Sequence, residues 1–291
     1  MTTLLFLLSF FAAGTDDLPS IKGYDFTSNK AEQKMLSKEL REASGVAFTS
    51  DGRLLCHNDE QGIIYEIDYH TGNIRQRFYL GKFLVYHDDL EGIAAKKGDA
   101  RRDTIFIVNS SGKILRFLPG KNEEKISFQA FQTPLTARNN VEGLAYDPVT
   151  DCLLLACKGE AGLDFRKPLP ADQKAVYAFS LKTYKLLPKP RFLISMSKIT
   201  GRIGEKDFCP SSIEYDPRTG NFFVLAAKGS AIVEMDASGN LLGVSSLPKS
   251  VHPQPEGVAI APDGTMVICN EGGGKGKAGR VVSYPFLYSY K

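Results

Sequence analysis

One short phrase recurs through this chain and fixes most of what it can fold into. Glu-Gly followed by an aliphatic residue stands at Glu91–Gly92, Glu142–Gly143 and Glu256–Gly257, in "HDDLEGIAAKK", "NNVEGLAYDP" and "HPQPEGVAIAPDG". Two partial copies, "EASGVAFTSDG" and "CPSSIEYDPRTG", place Gly45 and Ser212 in the glycine slot. Successive slots lie 47, 51, 69 and 45 residues apart. Four of the five copies then reach a turn: "TSDG", "DPVTD", "DPRTG" and "APDG". Asp-Gly and Asp-Pro clusters of this kind separate strands.

Each turn leads to a second apolar run, such as "CLLLACKG" or "NFFVLAAKG". A third and, where room allows, a fourth run follow. Four short strands in a unit of about 40–50 residues are the mark of a β-propeller blade. A single blade cannot bury both faces of its sheet, whereas a ring of blades does. Runs apolar at nearly every position fit strands covered on both sides. The chain is therefore expected to be all-β: a single β-propeller of five four-stranded blades, with six as second choice.

The fifth copy has three strands before the chain ends. An N-terminal strand is expected to complete it, with "IKGYDF", Ile21–Phe26, as the candidate. That pairing would join the chain ends and remove two sheet edges. The segment "EAGLDFRKPLPADQK", Glu160–Lys174, reads as an exposed insertion in the third blade.

The 291 residues are ample for one large core, and 36 basic against 33 acidic side chains give no footprint for nucleic acid. Residues 4–13 are apolar, too few to cross a bilayer, and small residues follow at Ala12, Ala13 and Gly14. Residues 1–17 are set apart as an export signal or disordered segment, and 18–291 as the propeller domain. The five cysteines are odd in number, lack Cys-x-x-Cys, and lie mostly inside strand runs. They read as buried thiols, not as disulfides or a zinc site.

The phrases "EASGVAF", "DLEGIAA", "NNVEGLAYDP", "LLLACKG" and "HPQPEGVAIAPDG…ICNEG" together resemble the SdiA-regulated family. These are YjiK-like bacterial propellers, more distantly similar to NHL-repeat proteins. The resemblance runs over roughly residues 20 to 290. It implies a polar central channel, an exported or membrane-attached protein of the cell envelope, and a bound calcium ion. It implies no established activity.

The first strand of a blade is innermost, so equivalent positions converge near the axis. Glu91, Glu142 and Glu256 occupy one such position, with Ser44 and Ser211 in the other copies. Glu42, Asp89 and Asn140 stand two residues earlier; Asn58, Asp59, Asn109, Asn270 and Glu271 close the second strands. Three converging carboxylates must take protons, pair with cations or bind a metal. Calcium suits oxygen ligands in irregular geometry; regucalcin-like lactonases and paraoxonases are similar in holding it in a propeller channel. Glu91, Glu142, Glu256, Asp59 and Asn270 are the candidate ligands. Lys158 and Lys228 offer a competing internal pairing, and backbone amides of the next blade a third account. Repetition favours a structural clasp, useful in every blade.

His57 and His252 adjoin the proposed ring, and a histidine beside an acid suits a general base. No Gly-x-Ser-x-Gly elbow is present, and "EGGGKGKAG" lacks the phosphate-loop spacing. Two functional classes stay open. One is a non-catalytic binding protein, presenting its loop face to a small molecule or protein, with membrane association. The other is a calcium-dependent hydrolase of esters, lactones or phosphoesters.

Overall fold

In the computed structural model, residues 20–27, 31–98, 102–274 and 276–287 are described. A short strand, β1 (Glu32–Met35), comes first. The first blade is β2 (Ala43–Phe48), β3 (Leu54–Asn58), β4 (Ile63–Ile67) and β5 (Ile74–Leu80). The second is β6 (Leu90–Lys96), β7 (Thr104–Asn109), β8 (Ile114–Phe117) and β10 (Gln129–Phe131), while β9 (Lys125–Ile126) lies parallel on the edge of β5. The third is β11 (Val141–Asp147), β12 (Cys152–Cys157) and β13 (Gln173–Ser180), with β14 (Lys185–Leu186) and β15 (Phe192–Ser195) sharing the outer side of β13. One helix, α1 (Met196–Ile203), leads to β16 (Ser212–Tyr215), β17 (Phe222–Ala226), β18 (Ala231–Met235) and β19 (Leu241–Ser246). The fifth blade is β20 (Pro255–Ile260), β21 (Met266–Asn270) and β22 (Arg280–Tyr284), completed by β1.

The inner strands touch in a closed cycle, β2 to β6, β11, β16, β20 and back to β2. The architecture is a five-bladed β-propeller. Five apolar clusters fill the five spaces between neighbouring blades. Consecutive residues of one strand serve different spaces: Leu54 and Cys56 face the fifth blade, and Leu55 between them faces the second. This is why the strands are apolar throughout instead of alternating. All five cysteines are buried and unpaired.

An N-terminal strand does close the ring, but a different one from that expected. Glu32–Met35 pairs antiparallel with β22, Glu32 opposite Ser283 and Met35 opposite Arg280. Ile21–Phe26 is no strand; Ser20–Gly23 forms a turn of 3-10 helix. Ile21, Tyr24 and Phe26 bury between the fourth and fifth blades beside Phe223 and Tyr284. Glu234, fully buried, receives the amides of Ser20 and Ile21 at 3.1 and 2.8 Å, the Ser20 hydroxyl at 3.1 Å and the Asn221 amide at 2.7 Å. The physical reason lies in the sites on offer. The outermost strand is mostly exposed and suits "EQKM", whereas the crevice between blades takes the apolar segment.

The insertion is exposed over most of 164–172, and its last two residues begin β13. Arg138 ties its start to the body, meeting the Glu160 carboxylate through two nitrogens and lying 4.0 Å over the Phe165 ring. Residues 1–17, read as a signal, lie outside the described residues.

Candidate functional site

The repeated glycine is set by how close the inner strands come to one another. A Cβ on Gly92 would lie 2.4 Å from the Leu144 nitrogen. One on Gly143 would lie 2.9 Å from the Ile213 nitrogen, and one on Gly257 2.9 Å from the Val46 nitrogen. One on Gly45 would lie 2.9 Å from the Glu91 carbonyl oxygen. Backbone therefore packs on backbone around the axis, which a side chain prevents. Ser212, the exception, accepts a hydrogen bond from the Val258 amide at 3.2 Å.

The residue before each glycine stands at a break in register. Pairing shifts between Ala43 and Gly45, Leu90 and Ile93, Val141 and Gly143, and Pro255 and Gly257. Ser44, Glu91, Glu142 and Glu256 are thus at β-bulges, which re-aim a side chain out of the strand's alternation.

The three glutamates converge electrostatically. Burial pushes the Glu91 carboxyl up to about 9, and Glu142, Asp89 and Glu256 add repulsion. Burial, then Glu142, pushes Glu256 up to about 8. Glu142 is also raised by burial, against the pull of Lys158. Lys158 Nζ donates to Glu142 Oε1 at 3.0 Å, and Asn140 donates to the same oxygen at 2.9 Å. Ser44 donates to Glu91 at 3.3 Å. At neutral pH Glu91 and Glu256 therefore hold protons, and Glu142 is the one of the three that Lys158 pairs with directly.

An outer group of acids surrounds this trio. Burial, then Asp59 and Glu42, raises Glu271 to about 7; Gln254 donates to it at 2.5 Å. Asp59 is raised by burial and by Glu42, Glu60 and Asp89, and its Oδ1 is buried without a hydrogen bond. A hollow of 420 Å³ beside them is lined by Arg41, Glu42, Glu271, Lys277 and the glycines of the 271–279 loop.

Other sequence candidates sit elsewhere. Lys228 pairs with Asp207 at 3.1 Å, its side chain 63% exposed, and makes no ion pair with the glutamates. Asn270 and His252 are fully buried and bonded together at 3.2 Å; His252 Nε2 lies 2.6 Å from the Tyr284 hydroxyl. His57 is fully buried, its Nδ1 2.8 Å from the Asn58 carbonyl oxygen. Burial pushes both imidazoles down to about 4, so they are neutral and out of reach of a substrate. Among the described residues, no group of three or more His, Cys, Asp or Glu stands ready to hold a metal ion. Asn140, marked in the sequence two residues before Glu142, donates to it, whereas Gln254, which donates to Glu271, stands at no position repeated between the blades and went unnoticed.

The propeller and its ring of bulged glutamates can be set beside known proteins. Residues 193–274 match the SdiA-regulated family. The SdiA-regulated match runs from within β15 to just beyond β21, and so includes Glu256 and its glycine. No curated protein matches the chain in sequence. Among solved structures, glutaminyl cyclase of Myxococcus xanthus superposes with a TM-score of 0.54 at 13% identity, over 87% of this chain and 93% of that one. The PQQ-bound aldose sugar dehydrogenase of Streptomyces coelicolor gives 0.52 at 14% identity, over 89% and 99%. A luciferin-regenerating enzyme gives 0.50 at 13%, over 87% and 95%. At such identities these likenesses concern the fold alone.

Proposed function

We propose that this protein is a non-catalytic, exported or membrane-attached binding propeller whose acidic channel mouth takes a divalent cation, calcium by its oxygen donors. One observation carries the reading. The carboxyls of Glu91, Glu142 and Glu256 repel one another, Asp59 and Glu271 are raised by neighbouring acids, and Lys158 acts on four of these five groups. Carboxyls crowded this way hold protons that a divalent ion can displace. The fit carries a condition. Lys158 already occupies Glu142, so the ion must dislodge it and drive protons from Glu91 and Glu256. Calcium, with its tolerance of irregular oxygen shells, suits such a rearrangement better than magnesium.

The buried, neutral histidines support a binding role over catalysis, because neither can serve as a base for a bound substrate. A calcium-dependent hydrolase is the second reading. What favours it is Glu91, a carboxyl still protonated at neutral pH and therefore suited to proton donation. The test is thermal melting with calcium, magnesium and a chelator. A calcium-specific rise, abolished in Glu142→Gln, supports the site; identical curves reject it. Turnover of lactone or ester substrates that is lost with the chelator would favour the hydrolase.

A further inference from the structure

The other end of the channel also holds a cavity, of 330 Å³, and every blade contributes to it. Phe48 ends β2, Ala95 lies near the end of β6, and Tyr146 near the end of β11; Glu214 and Tyr215 end β16, and Ile260 ends β20. The glutamate ring lies at the strand starts. Along β11, four residues separate Glu142 from Tyr146, about 13 Å of extended chain. The two sites are therefore at opposite ends of one channel.

The walls are aromatic or aliphatic except at Glu214 and Lys97. Glu214 is half-buried and lines the cavity. Among the described residues its hydrogen bond comes from the Tyr215 amide, at 3.0 Å. No cation pairs with it there. Asp216 beside it is fully buried and committed to Arg218 at 2.8 Å. Lys96, over the Tyr146 ring at 5.3 Å, is committed to Asp151. Lys97 lines the cavity from an exposed position. A half-buried carboxyl beside largely apolar walls and in no ion pair is costly to ionise, and burial, with Asp216 adding repulsion, raises this one to about 8.

We propose that this cavity binds a small organic ammonium ion, its charge on the Glu214 carboxylate and its apolar body against Phe48, Tyr146 and Tyr215. An ammonium ion supplies the missing charge, and the proton on Glu214 leaves to solvent as the pair forms. Aromatic faces attract such cations, most strongly where water is excluded. The volume is at the small end of ligand pockets, roughly 300–1,000 Å³. A metal ion is the poorer occupant, because one carboxyl among apolar walls cannot replace its water shell. An anion meets an acid.

Isothermal titration with benzylamine, and with its neutral counterpart benzyl alcohol, tests this. Benzylamine is expected to bind at least tenfold tighter than the alcohol. Glu214→Gln should remove that preference, since it keeps the shape of the protonated acid and cannot ionise. Ala95→Leu, which fills the cavity and leaves Glu214 in place, should weaken both ligands. Glu91→Gln, at the far end, should leave benzylamine unaffected, so that failure here is separate from failure of the calcium reading. Benzylamine that binds no tighter than the alcohol would overturn the proposal, even if Glu214→Gln failed to fold. So would equal binding to wild type and Glu214→Gln, or loss of binding in Glu91→Gln alone.

Discussion

Lys158 Nζ lies 3.0 Å from Glu142 Oε1, and the charge of that lysine also reaches Glu91, Glu256 and Glu271. One ammonium thus serves a channel mouth supplied by several blades. The pair is lopsided in exposure: the Glu142 side chain is 7% exposed and that of Lys158 34%. The lysine can move to water, and the glutamate cannot follow. Lys158→Met should therefore destabilise the fold by about 1–3 kcal/mol at neutral pH, the cost of a buried acceptor losing its partner. On the calcium reading it should also enlarge the melting shift that calcium produces, because the resident cation is gone. Chemical denaturation of the variant with and without calcium measures both.

Stability should fall as the solution becomes alkaline. Folded-state values of about 9 for Glu91 and about 8 for Glu256 stand above the ordinary glutamate value near 4.5. The folded chain therefore binds more protons than the unfolded chain between these limits, and stability drops with rising pH throughout that window. The decline should run from about pH 5 and level off above about pH 9. Glu91→Gln and Glu256→Gln should each flatten it. Melting temperatures across the range check this, and a rise with pH at the wild-type mouth would contradict it.

Gly92→Ala should cost about 1–3 kcal/mol, as overpacking does, because the new Cβ meets backbone at 2.4 Å. Gly201→Ala, in α1 with nothing within 4 Å, is the control and should be neutral or stabilising by up to about 1 kcal/mol. Equal effects in urea denaturation would remove the close-approach account of the repeated glycine.

These glycines show how much of the fold the chain displays to a reader. Their spacing gives the blade count, because each inner strand needs one where backbones meet, with Ser212 the tolerated exception. The convergence of Glu91, Glu142 and Glu256 was legible for the same reason. What places their side chains was not: a bulge is a matter of pairing register, and the partner strand leaves no mark beside the glutamate. Asn270 ends β21 and His252 precedes β20, and neither position fixes a side chain's direction; both turn inward and bond to each other. Ile21–Phe26 misled through apolarity, which marks burial equally well in a strand or in a plug. Glu214 drew no notice, since a lone acid in "SIEYD" looks like any exposed strand residue.

The plug makes its own prediction. A chain beginning at residue 31 keeps β1 but loses Ile21, Tyr24 and Phe26 and three of the four donors to Glu234. Burial of each such side chain contributes about 1.5–3 kcal/mol, partly offset by the entropy of ordering the segment. A loss of a few kcal/mol is expected, and Glu234→Gln should cost less in the shortened chain than in the longer one. A double-mutant cycle by denaturation measures that difference.

The most direct test of the central claim is calorimetric titration of calcium into the protein at pH 8, repeated in buffers of different ionisation enthalpy. Calcium that displaces protons from Glu91 and Glu256 should give a binding heat that changes with the buffer, corresponding to net proton release. The signal should be lost in Glu142→Gln and unchanged in Glu214→Gln. No binding heat in any buffer, or binding without proton release that survives Glu142→Gln, would contradict the account and leave the glutamates as a structural clasp around Lys158.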